Sequence, residues 1–194
     1  MSINETVILA SASPRRREIL TLAGVPFEVC AAADEDAPSG LSPEDRVKAL
    51  ARSKATQVAA KFPNKLVLGA DTMVVLDGQM LGKPKSEAQA VDMLMRLQGR
   101  EHQVMTGVWV IRTNGEGEIV KEEGFTDIAH VKFFPMTERE AHDYVKTGEC
   151  MDKAGAYAIQ GYGMRNVEAI RGDFYTVMGL PGGRLLRFLQ NFGE

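Results

Sequence analysis

Cysteine is scarce in this chain of 194 residues: only Cys30 and Cys150 occur, and they are far from Cys-x-x-Cys spacing. Two isolated thiols support neither a disulfide framework nor a thiolate zinc site, and they suit a reducing compartment. The three histidines, His102, His130 and His142, show no ligand spacing, which removes the other common route to zinc. A basic surplus is missing as well. Lys and Arg number 23 against 26 Asp and Glu, giving a formal net charge of −3, whereas a general nucleic-acid binder carries a basic face. No apolar run approaches membrane-spanning length. Met1-Ser2-Ile3-Asn4-Glu5 lacks the basic segment of a signal peptide. These absences predict a cytoplasmic protein with neither nucleic acid nor membrane among its partners. Two catalytic motifs are also absent. No Gly-x-Ser-x-Gly elbow occurs. Gly78 to Lys83 fails as a Walker A loop, because three residues separate its glycines and Lys83 precedes Pro84.

What is present begins with Val7-Ile8-Leu9, a short apolar run that reads as a buried strand. A turn of small residues follows, then Ser13 as a natural N-cap and Pro14 as a first helical residue. The next three residues, Arg15, Arg16 and Arg17, are electrostatically wrong for a helix start. The macrodipole is positive there, and an exposed cation costs roughly 0.3–1 kcal/mol. An anion on the turn would reverse that sign, since exposed N–H groups and guanidinium forks both favour phosphate. A solvated basic turn is the plainer alternative.

Apolar content of 44% and charged content of 25% are ordinary for a globular protein. The length allows one large domain or two closely joined lobes. Gly24 should close the first helix, and Phe27 to Ala33 should form a second strand that ends in Asp34-Glu35-Asp36. Ser42-Pro43-Glu44-Asp45 opens a helix whose apolar stripe is Val47, Leu50, Ala51, Ala55, Val58 and Ala59. Lys54 falls on that stripe. It either snorkels to the surface or turns inward to an anionic partner. Lys65 to Leu76 is long, β-branched and almost wholly apolar, so it should be a central strand. Asp71 interrupts it, and a carboxylate there is costly unless paired or bound to metal.

Asp77-Gly78 has the composition of a type I′ hairpin turn. Ser86-Glu87 begins a helix with Val91, Leu94 and Leu97 inward. Gln103–Arg112 and Ile119–Phe125 read as a hairpin around Thr113-Asn114-Gly115, with Asp127–Phe134 as a further strand. Thr137-Glu138-Arg139-Glu140 is a capping box. Asp152 to Gly161 is rich in small residues, which lets backbone approach a ligand closely. Val167–Arg171 is a short strand, and Gly179-Leu180-Pro181-Gly182 leads into a last helix. No repeat, low-complexity tract or linker divides the chain. Strands interleaved with helices predict a mixed α/β sheet. Cations beside isolated carboxylates are what a metal-assisted phosphoryl site needs.

Leu9-Ala10-Ser11-Ala12-Ser13-Pro14-Arg15-Arg16 resembles the opening signature of the Maf family of nucleoside triphosphate pyrophosphatases. Leu50 to Ala55, Gly69-Ala70-Asp71-Thr72, Gly82-Lys83-Pro84 and Val177 to Pro181 resemble further family motifs in the same order. Lys153 to Tyr157 with Ile159-Gln160-Gly161 is similar to the dTTP/UTP branch, and differs from the branch acting on 7-methyl-GTP. The resemblance implies one Maf-like domain over residues 1–194. Its fold would be like that of inosine triphosphatase: a mixed, twisted central sheet flanked by helices, in two joined lobes with a cleft. It implies hydrolysis of dTTP and UTP, or modified pyrimidine nucleotides, to the monophosphate and pyrophosphate in a house-cleaning role. A divalent metal (Mg²⁺ or Mn²⁺) and a homodimer come with it. Asp71 matches the proton acceptor, and Arg15, Thr72 and Gln160 the specificity residues. Lys54 and Lys83 match the phosphate-binding lysines. Arg16 suits bidentate phosphate binding, and Glu35, chosen among Asp34, Glu35 and Asp36, would join Asp71 at the metal. Gln160 also carries the adjacent donor and acceptor that uracil or thymine can pair with. Alternatives are activity on 7-methyl-GTP or other modified nucleotides, or a nucleotide-binding regulator of cell division.

Overall fold

The computed structural model describes residues 5–33 and 37–192. Its elements run β1 (Val7–Leu9), α1 (Pro14–Leu22), β2 (Phe27–Val29), α2 (Pro43–Ala59), β3 (Leu66–Leu76), β4 (Gln79–Leu81) and α3 (Glu87–Leu97). They continue with β5 (Glu101–Thr113), β6 (Ile119–Phe133), α4 (Glu138–Val145), β7 (Val167–Arg171), α5 (Phe174–Met178) and α6 (Gly182–Phe192). The strands form one seven-stranded mixed sheet in the order β2-β1-β3-β5-β6-β7, with β4 paired to β3. β1 is parallel to both β2 and β3, whereas β4 is antiparallel to β3 and β7 antiparallel to β6. The mixed α/β architecture expected from alternating strand and helix patterns is the one found.

Local chemistry sets the element boundaries. Ser42, Ser86 and Thr137 each accept a backbone N–H of the first turn of α2, α3 and α4, and Thr137 with Glu140 completes the capping box. Asp77 and Gly78 both take positive φ, at 50° and 75°, as a two-residue type I′ turn between β3 and β4 requires. The six stripe residues of α2 are all buried.

Three expectations are corrected. β2 ends at Val29 instead of reaching Ala33, because its partner β1 is only three residues long and pairs Leu9 with Val29. β6 is one strand of 15 residues where two were expected. Thr126-Asp127 offers no Gly or Pro to turn the chain there, and the neighbouring β5 is itself 13 residues long. The five-residue α5 was not predicted. It is opened by Asp173, whose carboxylate accepts the Tyr175 N–H at 2.9 Å.

The chain divides into two compact units. The first contains the chain up to Asp71, Thr106–Asp127 and the chain from Gly179. Part of its core is built from Ile8, Ala55, Val58, Val67 and Ile111. The second contains Thr72–Met105 and Ile128–Met178, with Val74, Leu94, Leu97, Phe133 and Tyr157 among its buried residues. No helix among the described residues is long and apolar enough to cross a membrane.

Candidate active site

In the first unit the three arginines of α1 have separate environments: Arg15 is half-buried, Arg16 buried and Arg17 exposed. Ser13 makes no side-chain cap. The Ser11 hydroxyl holds the turn instead, accepting the Ser13 N–H at 3.3 Å and Arg16 Nη1 at 2.8 Å. Arg16 Nε donates to the Gly179 carbonyl at 2.9 Å. The buried guanidinium therefore ties the signature turn to the Gly179-Leu180-Pro181 turn ahead of α6. These neutral acceptors offset part of the cost of a cation at a helix start.

Lys54 turns inward. Its Nζ donates to Asp71 Oδ1 at 2.6 Å, with the lysine 6% and the aspartate 8% exposed. The geometry behind this pair begins with Gly69. A Cβ at that position would lie 2.0 Å from the Ala51 carbonyl oxygen, so α2 rests directly on the backbone of β3. Gly107 on β5 makes a similar approach to Val47 of α2. Residues 69 and 71 share one face of the strand, and residues 51, 54 and 55 share one face of the helix. Close contact at Gly69 thus brings Lys54 onto Asp71. Burying such a pair is costly, and removing one partner costs about 3–5 kcal/mol in comparable cases, so it is poor evidence for stability alone.

Thr72, Lys83 and Gln160 belong to the second unit. Thr72 follows Asp71 on β3 and is half-buried. Lys83 is exposed just after β4, and Gln160 is exposed between two short 3-10 turns, Ala154–Ala156 and Gly161–Asn166. The Gly155 N–H donates to the Gly82 carbonyl at 3.0 Å, which links the segment leading to Gln160 with the one leading to Lys83. Glu35, with Asp34 and Asp36, lies outside the described residues. Among the described residues no three His, Cys, Asp or Glu side chains gather as a metal cluster.

The structure therefore joins Lys54 to Asp71, and Arg16 to the two turns around it. Sequence reasoning missed Ser11 as the acceptor for Arg16. It also missed Glu149 and Tyr144, which hold the backbone around Gln160. A signal for them existed: a glycine-rich segment such as 155–163 leaves many N–H groups in need of acceptors.

The family described as Maf-like protein matches residues 6–192. The chain belongs to the Maf family. A Symbiobacterium thermophilum protein named dTTP/UTP pyrophosphatase is 47% identical over 190 residues, covering 97% of this chain and 95% of that one. A Bacillus velezensis protein of the same name is 46% identical over 191 residues, covering 98% of both chains. Among solved structures, the Staphylococcus aureus Ham1 protein superposes with a TM-score of 0.50 at 15% identity, covering 96% of this chain and 99% of that one. At that identity the likeness concerns the fold, and it agrees with the mixed sheet described above. For this Maf-family chain, the buried Lys54–Asp71 pair lies within two of the motifs that carried the resemblance.

Proposed function

We propose that this chain is a nucleoside triphosphate pyrophosphatase that hydrolyses dTTP and UTP, and modified pyrimidine relatives, to the nucleoside monophosphate and pyrophosphate. The observation that carries the reading is the buried Asp71 carboxylate held by Lys54, in a chain close to half identical to proteins of that name. In this reaction a water oxygen bonds to the α-phosphorus, the bond to the bridging α–β oxygen breaks, and pyrophosphate leaves. Asp71 takes the water proton. Arg15, Arg16, Lys54 and Lys83 supply cationic donors to phosphate oxygens. Arg15, Thr72 and Gln160 set the preference for a pyrimidine base, Gln160 by pairing with its imide edge.

A divalent ion, Mg²⁺ or Mn²⁺, suits the Asp71 carboxylate together with the phosphate oxygens of the substrate, since both are hard oxygen ligands. Asp71 and Glu35 would hold it. When bound it supplies charge neutralisation for the triphosphate and a more acidic water. The reading includes a cytoplasmic homodimer. The thiols of Cys30 and Cys150 are free, in keeping with a reducing compartment.

A panel of UTP, dTTP, GTP and 7-methyl-GTP with each metal tests the proposal through its products. Pyrophosphate and a monophosphate should appear fastest from UTP and dTTP, and Asp71→Asn should abolish turnover while the chain still folds. Release of inorganic phosphate alone overturns the reaction assigned. Fastest turnover of 7-methyl-GTP reassigns the substrate. Tight nucleotide binding without turnover points to a regulator.

A further inference from the structure

Gln160 is exposed on a loop of small residues, a poor platform for reading a base edge unless its backbone is fixed from elsewhere. The second unit contains such a fixture. Glu149, in the loop after α4, accepts the Tyr162 N–H on Oε1 at 3.0 Å and the Gly163 N–H on Oε2 at 2.8 Å. The Tyr144 hydroxyl donates to Glu149 Oε2 at 2.9 Å and accepts the Ala158 N–H at 3.0 Å. One carboxylate and one phenol therefore grip the backbone on both sides of Gln160. Gly161 closes the fit: it has φ of 67°, and a Cβ there would lie 1.9 Å from Glu149 Oε1. Tyr144 is buried in the core of the unit. Burial, reinforced by Glu149, pushes its hydroxyl pKa up, which keeps it a donor to the carboxylate.

We infer that Glu149 is a positioning residue for base selection, acting through Tyr144 and the 158–163 backbone to hold Gln160 at the pyrimidine edge. The inference rests on Gln160 reading the base, as proposed above. A carboxylate is required because three donors converge on it. Glutamine at the same position keeps one acceptor oxygen and turns an NH₂ toward N–H groups that already need acceptors.

Steady-state kinetics on UTP and GTP for the full chain and four variants tests this: Gln160→Ala, Glu149→Gln, their double variant, and Tyr144→Phe. Glu149→Gln should lower the UTP-over-GTP ratio of kcat/KM by about tenfold, mostly through a higher KM for UTP. The double variant should show no further loss beyond Gln160→Ala, since both act on one contact. Tyr144→Phe should move the ratio in the same direction, and it decides the question if Glu149→Gln does not fold. An unchanged ratio in Glu149→Gln, or in Tyr144→Phe where that variant decides, overturns the inference when Gln160→Ala does shift the ratio. So does a uniform loss of kcat on both nucleotides. An unchanged ratio in Gln160→Ala overturns the base-reading role of Gln160, and this inference with it.

Discussion

His102 lies on β5 with Phe133 and Tyr157 packed edge-on around its ring, at centroid distances of 5.0 and 5.4 Å. Its Nε2 is 2.8 Å from the Tyr157 hydroxyl, and Nδ1 is buried without a hydrogen-bond partner among the described residues. Burial pushes the imidazole pKa down from 6.5 to about 4, against a smaller opposing pull from Glu101. The unfolded chain therefore binds a proton that the folded chain refuses between these values. The His102 contribution to stability is full well above pH 6.5, declines as pH falls toward about 4, and amounts to about 3 kcal/mol across that window. His102→Gln keeps an acceptor for Tyr157 and removes the titration. Urea midpoints measured from pH 7 to 5 should fall more steeply for the native chain than for this variant; parallel slopes would remove His102 as the cause.

At the scale of elements, the contact of α2 with β3 decides where Lys54 points. Gly69→Ala would drive a methyl group into the Ala51 carbonyl oxygen at 2.0 Å, a backbone atom that yields only if the helix moves. Overpacking of this kind costs about 1–3 kcal/mol, and the shift should separate Lys54 from Asp71 and reduce turnover. Gly183→Ala in α6 is the control, since nothing lies within 4 Å of its Cβ. It should leave thermal stability equal or raised. Equal effects at the two positions would overturn the close-contact account. The same elements mark what the sequence made legible. The α2 stripe, three helix caps and the Asp77-Gly78 hairpin depend on local spacing and were readable from it. Whether Lys54 snorkels or turns inward was not, because periodicity assigns a residue to a face and is silent about the opposite surface. The carboxylate in β3 could be singled out as costly, while its partner emerged only from tertiary packing. Glu149 and Tyr144 escaped notice because their role is to satisfy the backbone of a loop distant in sequence. β2 ended early for a similar reason: strand length depends on the partner strand as well as on local composition.

For the whole molecule, β3, β5 and β6 each begin in one compact unit and end in the other, crossing at Asp71/Thr72, Met105/Thr106 and Asp127/Ile128. Unfolding one unit would fray three strands that also run through the other, so the two should lose structure together. The chain contains a native probe for each. Trp109, the single tryptophan, belongs to the first unit, where its indole N–H donates to Glu122 at 2.9 Å and Arg52 stacks on its ring. Cys150 is fully buried in the second. Cys30 is the other free thiol, and Cys30→Ser leaves Cys150 as the one reactive sulfur. In that variant, urea unfolding followed by Trp109 fluorescence and by pulse labelling of Cys150 should give coincident midpoints. Asp71→Asn, which removes the carboxylate charge 2.6 Å from the buried Lys54 ammonium, should move both midpoints down together. A Cys150 transition at lower urea than that of Trp109, or an Asp71→Asn shift confined to Trp109, would mean that the units unfold independently. Coincidence in both experiments would make Asp71, at the crossing of β3, a residue whose cost in stability is borne by the entire fold.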